Sequence, residues 1–245
     1  MGEPTPLLPR VALIQGAAAL NLSLAADQVD RFERYAAELV DWNRRINLTA
    51  ITDPLEIVHK HFLDSLSILS VCDLHMGERI IDVGSGAGFP ALPIRIVRPD
   101  LHVTLLEATR KKCDFLRHMV EALALDRVTV VHARAEDVAH DPAQREQYAT
   151  ALARAVAGLA TLSEYLLPFV RIGGQAIAQK AGAVETEVGA AGAAIEVLGG
   201  RLQRVTPATV PGVMESRAIL LIEKIAPTPE KYPRRAGMPE KRPIR

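Results

Sequence analysis

The sequence predicts an α/β fold: a mostly parallel, doubly wound sheet of seven strands with helices on both faces, preceded by a small helical region. Two observations predict this fold. Short apolar runs alternate with helix-like stretches from residue 79 onward, and the first apolar run ends in a glycine-rich turn. The length of 245 residues suits one large domain of this class with a small appendage.

Seven stretches have the composition of strands, and the first ones are short apolar runs, as is typical of buried parallel strands. The last two are joined without a helix, so we expect them to pair antiparallel. A helix over about 183–198 is predicted before them. The predicted strands are RIIDVG (79–84), VTLLEA (103–108), VTVVHA (128–133), ATALARA (149–155), QAIAQK (175–180), LQRVTPATV (202–210) and SRAILLIEK (216–224).

The N-terminal region is predicted to be helical because its apolar residues recur every three or four positions. Ser23 is a candidate N-cap for one helix. Asp53, followed by Pro54 and then by Glu56 three positions after the cap, indicates the start of another. The positions expected to be buried are Val29, Phe32, Ala36, Leu39 and Val40 in the first helix, and Leu55, Val58, Phe62, Leu66 and Leu69 in the second.

The predicted organisation is a helical region over residues 1–75, a main domain over 76–230 and a basic tail over 231–245. The whole chain has no net charge, but the tail has six basic residues and one acidic residue, which gives it a net charge of +5. A basic, proline-punctuated tail suits a polyanionic partner. It equally fits a solvated tail that aids solubility.

Several classes of protein are disfavoured by the composition. No apolar run is long enough to span a membrane, and no signal-peptide pattern is present, so a cytoplasmic protein is expected. Cys72 and Cys113 have the spacing of neither a metal site nor a disulfide framework, and no metal is predicted. Both cysteines are expected to be small buried residues rather than nucleophiles, because no neighbouring motif would lower a thiol pKa.

A glycine-rich turn, Asp82-Val83-Gly84-Ser85-Gly86-Ala87-Gly88-Phe89-Pro90, follows the first strand. Its glycines let the backbone turn tightly and approach a ligand closely. One alignment of this turn fits a dinucleotide fingerprint, so NAD is a candidate ligand. Two features favour S-adenosylmethionine instead. Pro90 and Pro93 would disturb a helix N-terminus that has to hold a pyrophosphate, and Asp82 can meet the ammonium group of S-adenosylmethionine.

Acidic residues at the ends of neighbouring strands complete the predicted cofactor site. Glu107 ends the second strand, where a carboxylate can accept hydrogen bonds from both ribose hydroxyls, a role that suits NAD as well. Glu136 follows the third strand, where an adenine ring is commonly held. The alternative is a tight turn with solvated acids. The predicted cofactor-binding residues are Asp82, Gly84, Ser85, Gly86, Gly88, Phe89, Glu107, Ala108, Ala135, Glu136 and Arg154.

Arg154, at the end of the fourth strand, is the predicted catalytic residue, because its forked donors can orient a base or a phosphate there. Its alternative role is a structural ion pair with Glu136 or Glu164. Residues 153–156 lack the polar-Pro-Pro-aromatic motif of many enzymes that methylate exocyclic amines. A site with no obvious base is compatible with methylation of guanine N7, which carries no proton, so that the protein chiefly has to position the reactants.

Eight motifs, in order from about residue 20 to the C-terminus, resemble the ribosomal RNA small subunit methyltransferase G family, also called RsmG or GidB. One departure is Ala91, where many family members have glycine. The motifs are WNRRINLTAI (42–51), HFLDSLSIL (61–69), IDVGSGAGFPALPI (81–94), LLEATRKKCDFL (105–116), ARAED (133–137), ARAVAGL (153–159), PFVRIGG (168–174) and KYPRRAGMPEKRPI (231–244).

The resemblance implies a Rossmann-like, class I S-adenosylmethionine-dependent methyltransferase with an N-terminal helical extension. It implies a cytoplasmic bacterial enzyme that methylates N7 of a guanosine, position 527, in the 530 loop of 16S rRNA and leaves S-adenosylhomocysteine as product. The partner would be 16S rRNA in the small ribosomal subunit or its precursor, and a monomer is expected. The residues predicted to bind RNA are Arg134, Lys180, Arg217, Lys231, Arg234 and Arg235.

Two other functions stay open at this point. An NAD-dependent oxidoreductase could use the same sheet, although no proton-transfer motif is evident. A non-catalytic RNA-binding or ribosome-assembly factor could keep a relict site, although the complete glycine turn with Glu107 argues against it. Asn43 and Asn47 fit either ligand contacts or backbone caps. His61 and Asp64, one helical turn apart, fit either a polar site or a structural pair.

Overall fold

The computed structural model describes residues 8–154 and 157–245. Ala155, the last residue of the fourth predicted strand, lies outside these residues, as does Val156 in the adjoining motif. Among the helices of the described residues, none combines the length and the apolar character needed to cross a bilayer.

Helices precede the sheet, beginning with α1 (Arg10–Ala19) and α2 (Ala26–Asn43). Asp53 caps the next helix as predicted, because its carboxylate accepts hydrogen bonds from the N–H groups of Leu55 and Glu56 at 3.0 and 2.9 Å. That helical segment consists of α3 (Pro54–Glu56), a π-helical stretch (Ile57–Leu63), α4 (Asp64–Leu66) and a 3₁₀ turn (Ser67–Ser70).

Two details of the predicted helices are wrong. Ser23 is not an N-cap: α2 begins three residues later, and there the Gln28 side chain accepts a hydrogen bond from the N–H of Ala25 at 2.9 Å. Leu55 is 44% exposed rather than buried. The later predicted positions Val58, Phe62 and Leu66 are fully buried, so the pattern fails only in the first turn of this segment.

The rest of the chain alternates strands and helices. The elements are β1 (Arg79–Val83), α5 (Ala91–Val97), β2 (His102–Glu107), α6 (Arg110–Ala122), β3 (Val128–His132), α7 (Ala135–Val138), β4 (Tyr148–Arg154), α8 (Leu159–Leu166), a 3₁₀ turn (Leu167–Phe169), β5 (Val170–Ala181), α9 (Glu185–Val197), β6 (Gly200–Ala208), β7 (Arg217–Lys224) and α10 (Met238–Lys241).

The seven strands form one sheet in the order β3-β2-β1-β4-β5-β7-β6. Strands β1 to β5 pair in parallel, whereas β7 pairs antiparallel with both β5 and β6. The predicted α/β fold with a mostly parallel sheet is confirmed, and so is the antiparallel pairing of the last two strands.

Alternation along the strands builds a core on each face of the sheet. Ile80 and Leu152 pack in the layer that contains Phe32 of α2 and Phe115 of α6. The neighbouring residue Ile81 packs on the other face, in the layer that contains α8 and α9. The N-terminal helices therefore share one core with α5 and α6 and cover the same face of the sheet.

Strand β5 begins at Val170, five residues before the predicted start, and includes Gly173 and Gly174. A Cβ on Gly174 would lie 2.5 Å from the carbonyl oxygen of Ala149. The lack of a side chain thus allows β4 and β5 to approach closely at this point. The glycine pair is therefore part of the strand rather than its boundary.

The carboxyl ends of the five parallel strands lie at one edge of the sheet. Glu107 ends β2, Arg154 ends β4, and Lys180 lies next to the last residue of β5. The chain order reverses between β1 and its neighbours β2 and β4, and a crevice at such a point is the usual ligand site of an open α/β sheet. The fold thus brings the predicted site residues to this edge.

Candidate active site

The glycine-rich turn leaves β1 through a run of residues with positive φ. Gly84, Gly86 and Gly88 have φ angles of 77°, 57° and 91°, a region that favours glycine. At Gly88 a Cβ would also lie 2.6 Å from the hydroxyl oxygen of Tyr35. The Ser85 hydroxyl donates a hydrogen bond to the carbonyl oxygen of Asp82 at 2.9 Å and closes the turn. The predicted ligand loop is thus a tightly packed turn.

Asp82 is fully buried at the start of this turn. Its Oδ2 accepts a long hydrogen bond, 3.3 Å, from the N–H of Ala91, whereas its Oδ1 has no partner among the described residues. Burial raises the pKa of Asp82 to about 7. A buried carboxylate oxygen without a donor is costly, so this atom fits a ligand that brings a donor, such as the ammonium group of S-adenosylmethionine.

Pro90 and Pro93 do not disturb the helix N-terminus after the turn, contrary to the prediction. Helix α5 begins at Ala91, directly after Pro90, and contains Pro93 in its first turn. The first turn of a helix tolerates proline, because the N–H groups there have no partner within the helix. The prolines therefore do not separate the two cofactor classes.

Glu107 lies across from the turn and is 7% exposed. Its Oε2 accepts a hydrogen bond from the N–H of Gly86 at 3.0 Å, and its Oε1 accepts one from the N–H of Thr109 at 2.7 Å. Each carboxylate oxygen keeps further acceptor capacity, which fits the two ribose hydroxyls predicted for it.

A cavity of about 200 Å³ opens beside the turn at the ends of β1, β2 and β3. We call it the cofactor cavity. Four of the predicted cofactor residues, Gly84, Ala108, Ala135 and Glu136, line it, together with the exposed Arg134. Its other lining residues are Val83, Leu106, Ala133, Ala157, Tyr165 and Glu240. A larger cavity of about 350 Å³ lies at the opposite edge of the sheet, away from every predicted site residue.

The Phe89 ring connects the glycine turn to the N-terminal helices. It stacks on Tyr35, with ring centroids 5.3 Å apart, and on His61, with centroids 4.5 Å apart. The Tyr35 hydroxyl donates a hydrogen bond to the carbonyl oxygen of Ala87 at 2.5 Å. The Arg154 guanidinium lies 4.8 Å from the centre of the Phe89 ring. Tyr35, His61 and Arg154, which are distant from the turn in sequence, thus hold it in place through Phe89.

Arg154 forms its ion pair with Asp64, and neither Glu136 nor Glu164 is its partner. Its Nη1 lies 3.0 Å from Oδ2 of Asp64, and the Nε of Arg217 lies 3.1 Å from Oδ1 of the same carboxylate. These side chains are nearly buried, with 14% of Arg154, 10% of Arg217 and 5% of Asp64 exposed. Asp64 therefore holds two arginines in a fixed arrangement.

These residues line a second cavity of about 200 Å³ at the ends of β4 and β5, which we call the arginine cavity. Gln179 lies there next to Arg154, and its Nε2 donates a hydrogen bond to the carbonyl oxygen of Asp64 at 2.6 Å. The predicted contact residue Lys180 forms an ion pair with Glu187 at 2.7 Å. The cavity is lined by Lys60, His61, Asp64, Arg154, Gln179, Lys180, Ala181 and Arg217. Gln179 and Lys60 were not among the predicted site residues.

His61 is kept neutral in this site. Burial, reinforced by the positive charge of Arg154, lowers the pKa of His61 to about 3. Its Nδ1 accepts a hydrogen bond from Arg154 at 3.4 Å, so the proton lies on Nε2, which donates to Oγ1 of Thr49 at 2.8 Å. Such an imidazole is a poor proton acceptor. Its contacts indicate that it positions Arg154 and Phe89.

Other predicted residues lie outside both cavities. Asn43 caps the backbone after α2: its Oδ1 accepts from the N–H groups of Leu48 and Thr49 at 2.8 and 3.0 Å. Asn47 is exposed, and its role stays open. Both cysteines are buried, and desolvation raises the pKa of Cys72 to about 11, which favours the structural role predicted for it.

The basic tail packs against the protein. Arg234 forms a two-pronged ion pair with Glu164, a residue of α8 whose side chain is fully buried, through contacts of 3.0 and 2.7 Å. Arg234 therefore has a structural role that the sequence analysis does not assign to it, and its guanidinium is already engaged. Lys231 and Arg235 are exposed and stay predicted RNA contacts.

The sheet order, with a glycine turn after β1 and acids at the strand ends, defines an S-adenosylmethionine-dependent methyltransferase type of fold. A SAM-dependent methyltransferase from Aquifex aeolicus has the same fold, with a TM-score of 0.51, at 18% sequence identity over 69% of this chain and 93% of that chain. The model of the GidB family, rRNA small subunit methyltransferase G, matches residues 28–215. The chain belongs to this family.

Two relatives share nearly the whole chain. The ribosomal RNA small subunit methyltransferase G of Roseiflexus castenholzii is 53% identical over 235 residues, which cover 95% of this chain and 98% of the relative. That of Dehalococcoides mccartyi is 47% identical over 232 residues, with the same coverage of both chains. The family resemblance inferred from the sequence motifs is confirmed.

Proposed function

We propose that this protein transfers a methyl group from S-adenosylmethionine to N7 of a guanosine, position 527, in the 530 loop of 16S rRNA. The product would be S-adenosylhomocysteine, and the protein would act in the cytoplasm as a monomer. Family membership supports the reaction class, since the relatives are named ribosomal RNA small subunit methyltransferase G. The observation that carries the proposal is the unpaired Oδ1 of buried Asp82, which lies beside a glycine turn that also contacts Glu107.

The residues around the cofactor cavity fit the parts of S-adenosylmethionine. Asp82 would meet its ammonium group and Glu107 its ribose hydroxyls, while Ala135 and Glu136 would hold its adenine. Gly84, Ser85, Gly86, Gly88, Phe89 and Ala108 would form the surrounding wall. When bound, the cofactor supplies a methyl group that is activated by the positive sulfur. No described group of three or more His, Cys, Asp or Glu residues could hold a metal ion, and we propose a reaction without one.

The arginine cavity would accept the target nucleotide, because its lining is basic and lies next to the turn. Arg154 would position the base, and Arg217 and Lys180 would face the RNA backbone, with Arg134, Lys231 and Arg235 as outer contacts. Guanine N7 has a lone pair and no proton to lose, so the reaction needs alignment rather than a base. A neutral His61 with a pKa of about 3 is consistent with this requirement.

The test is transfer of a labelled methyl group by the purified protein to 16S rRNA, followed by mass-spectrometric mapping of the modified nucleotide. Naked rRNA, small subunits and their precursors are compared as substrates from a strain that lacks the protein. We expect one methylated guanosine at N7. Labelling of another atom would contradict the proposed specificity, and no labelling with any substrate would favour a non-catalytic RNA-binding factor.

Cofactor binding is expected to strengthen as the pH rises through 7. The pKa of Asp82 is raised to about 7, so below this pH its carboxyl is protonated and loses its charge for the cofactor ammonium. Affinity for S-adenosylhomocysteine should increase about 10-fold between pH 6 and 8, which calorimetry can measure. The Asp82→Asn variant should bind more weakly and show no such slope. The same slope in both proteins would exclude Asp82 as its origin.

A further inference from the structure

The C-terminal strap, which we define as residues 232–241, is bound by hydrogen bonds to α7, to the turn that follows α7 and to α8. His140 donates from Nε2 to the carbonyl oxygen of Pro233 at 2.8 Å. The Thr161 hydroxyl donates to the carbonyl oxygen of Pro239 at 3.0 Å. The N–H of Gly237 donates to Oε1 of Glu136 at 2.9 Å. Together with the Arg234–Glu164 ion pair, these contacts fix the strap as a part of the fold.

The strap also forms one wall of the cofactor cavity. Glu240, from the short helix α10 within the strap, lines this cavity together with Ala135, Glu136 and Tyr165. Glu136 connects the strap to the cofactor cavity, because it lines the cavity and its carboxylate accepts a hydrogen bond from the N–H of Gly237 in the strap. A segment that the sequence presents as a basic tail for RNA thus contributes an acid to the cofactor site.

Two acids, Glu136 and Glu240, line the cavity against one basic residue, Arg134, so the net charge of its lining is negative. Burial raises the pKa of Tyr165 to about 12, and the negative charges of Glu136, Glu240 and Glu164 add to this effect, while Arg134 opposes it. Such a field stabilises hydrogen-bond donors and disfavours acceptors and anions. The 6-amino group of adenine presents two donors, whereas a 6-oxo purine presents an acceptor at the same position.

We infer that the strap completes the cofactor site and that the Glu240 carboxylate accepts a hydrogen bond from the 6-amino group of adenine. This inference rests on the proposed cofactor site. Because docking of the strap and binding of the cofactor share Glu136 and the cavity wall, each favours the other. A bound cofactor therefore slows local unfolding of the strap, and loss of the strap weakens binding of the cofactor.

The first test compares two ligands, S-adenosylhomocysteine and its 6-oxo analogue S-inosylhomocysteine, by calorimetry. Replacing Glu240 with alanine should weaken binding of S-adenosylhomocysteine about 10-fold without weakening binding of the analogue, because only the amine loses a hydrogen bond to a charged acceptor. Glu240→Gln keeps the size of the side chain and should also reduce the preference for the amine. Lys241→Ala, the adjacent change, should behave as the unaltered protein. An unchanged preference in both Glu240 variants would overturn the inference.

The second test measures hydrogen exchange over residues 232–241. Saturating S-adenosylhomocysteine should slow exchange there several-fold, and equal exchange with and without ligand would refute the coupling. The Gly84→Asp variant separates this inference from the proposed site. If Gly84→Asp loses binding of S-adenosylhomocysteine while Glu240→Ala binds it normally, the role of the strap is refuted and the cofactor site is not. Normal binding in Gly84→Asp would refute the cofactor site itself.

Discussion

Replacing Arg154 with alanine is expected to lower kcat/KM for methyl transfer about 100-fold, the order of loss that follows when a reacting group is misplaced by about an ångström. The guanidinium lies at the end of β4, between the Asp64 carboxylate and the Phe89 ring, and it lines the arginine cavity. The N–H donors of its guanidinium are held in place and can therefore position the target guanine. Arg154→Lys keeps the charge but loses the fork, so it should restore little activity.

The control for this prediction is Arg204→Ala, which removes an exposed arginine at the opposite edge of the sheet and should leave kcat/KM unchanged. Asp64 keeps Arg217 as a partner in the Arg154 variants, so the protein should stay folded, which thermal unfolding can verify. Affinity for S-adenosylhomocysteine should fall much less than activity. Near-normal activity in Arg154→Ala would remove this residue from the proposed mechanism.

Replacing Arg234 with alanine is expected to lower the free energy of unfolding by about 3 kcal/mol, the lower end of the range for breaking a buried ion pair. The Glu164 side chain is fully buried, whereas 26% of the Arg234 side chain is exposed, so solvent screens part of the interaction. The variant leaves Glu164 with one backbone hydrogen bond, from the N–H of residue 234 at 2.7 Å, and with an uncompensated charge.

Urea unfolding measures this loss, with Arg235→Ala as the matched control. Arg235 is the next residue, has the same charge and is exposed, so its removal should cost less than about 0.5 kcal/mol. Adding Glu164→Gln to Arg234→Ala should recover part of the stability, because the neutral amide no longer carries a buried charge. Equal stability of the Arg234 and Arg235 variants would show that the ion pair contributes nothing.

The fold was predictable because its signals are local. The apolar runs of β1 to β4 end at glycine or at a polar or charged residue, and the last two strands follow each other without a helix. The glycine turn and Glu107 were likewise visible, since a ligand loop and a strand-end acid are defined by the few residues around them. The boundaries of β5 were not predictable, because Gly174 serves a contact with Ala149 that only the paired strands reveal.

The arrangement of the arginines could not be predicted, because it depends on long-range contacts. Asp64 meets Arg154 and Arg217, which follow it by 90 and 153 residues. No local pattern marks such a pair, and both Glu136 and Glu164 were equally plausible partners for Arg154. Glu164 is a signal that the sequence does contain: it is the one charged residue in a largely apolar helix, and a buried acid in that setting needs a cation. Arg234 supplies it.

Through Phe89, the N-terminal helices shape the glycine turn in addition to packing in the core. The ring that ends the glycine turn rests on Tyr35 from α2 and on His61 from the π-helical stretch, and Tyr35 also holds the turn through Ala87. The loop that is proposed to recognise a nucleoside is thus shaped by residues that precede the sheet in the chain. A chimaera that takes only the sheet domain from one relative and the N-terminal helices from another would contain the cofactor residues. It would lack the matching helix surface that shapes the glycine turn.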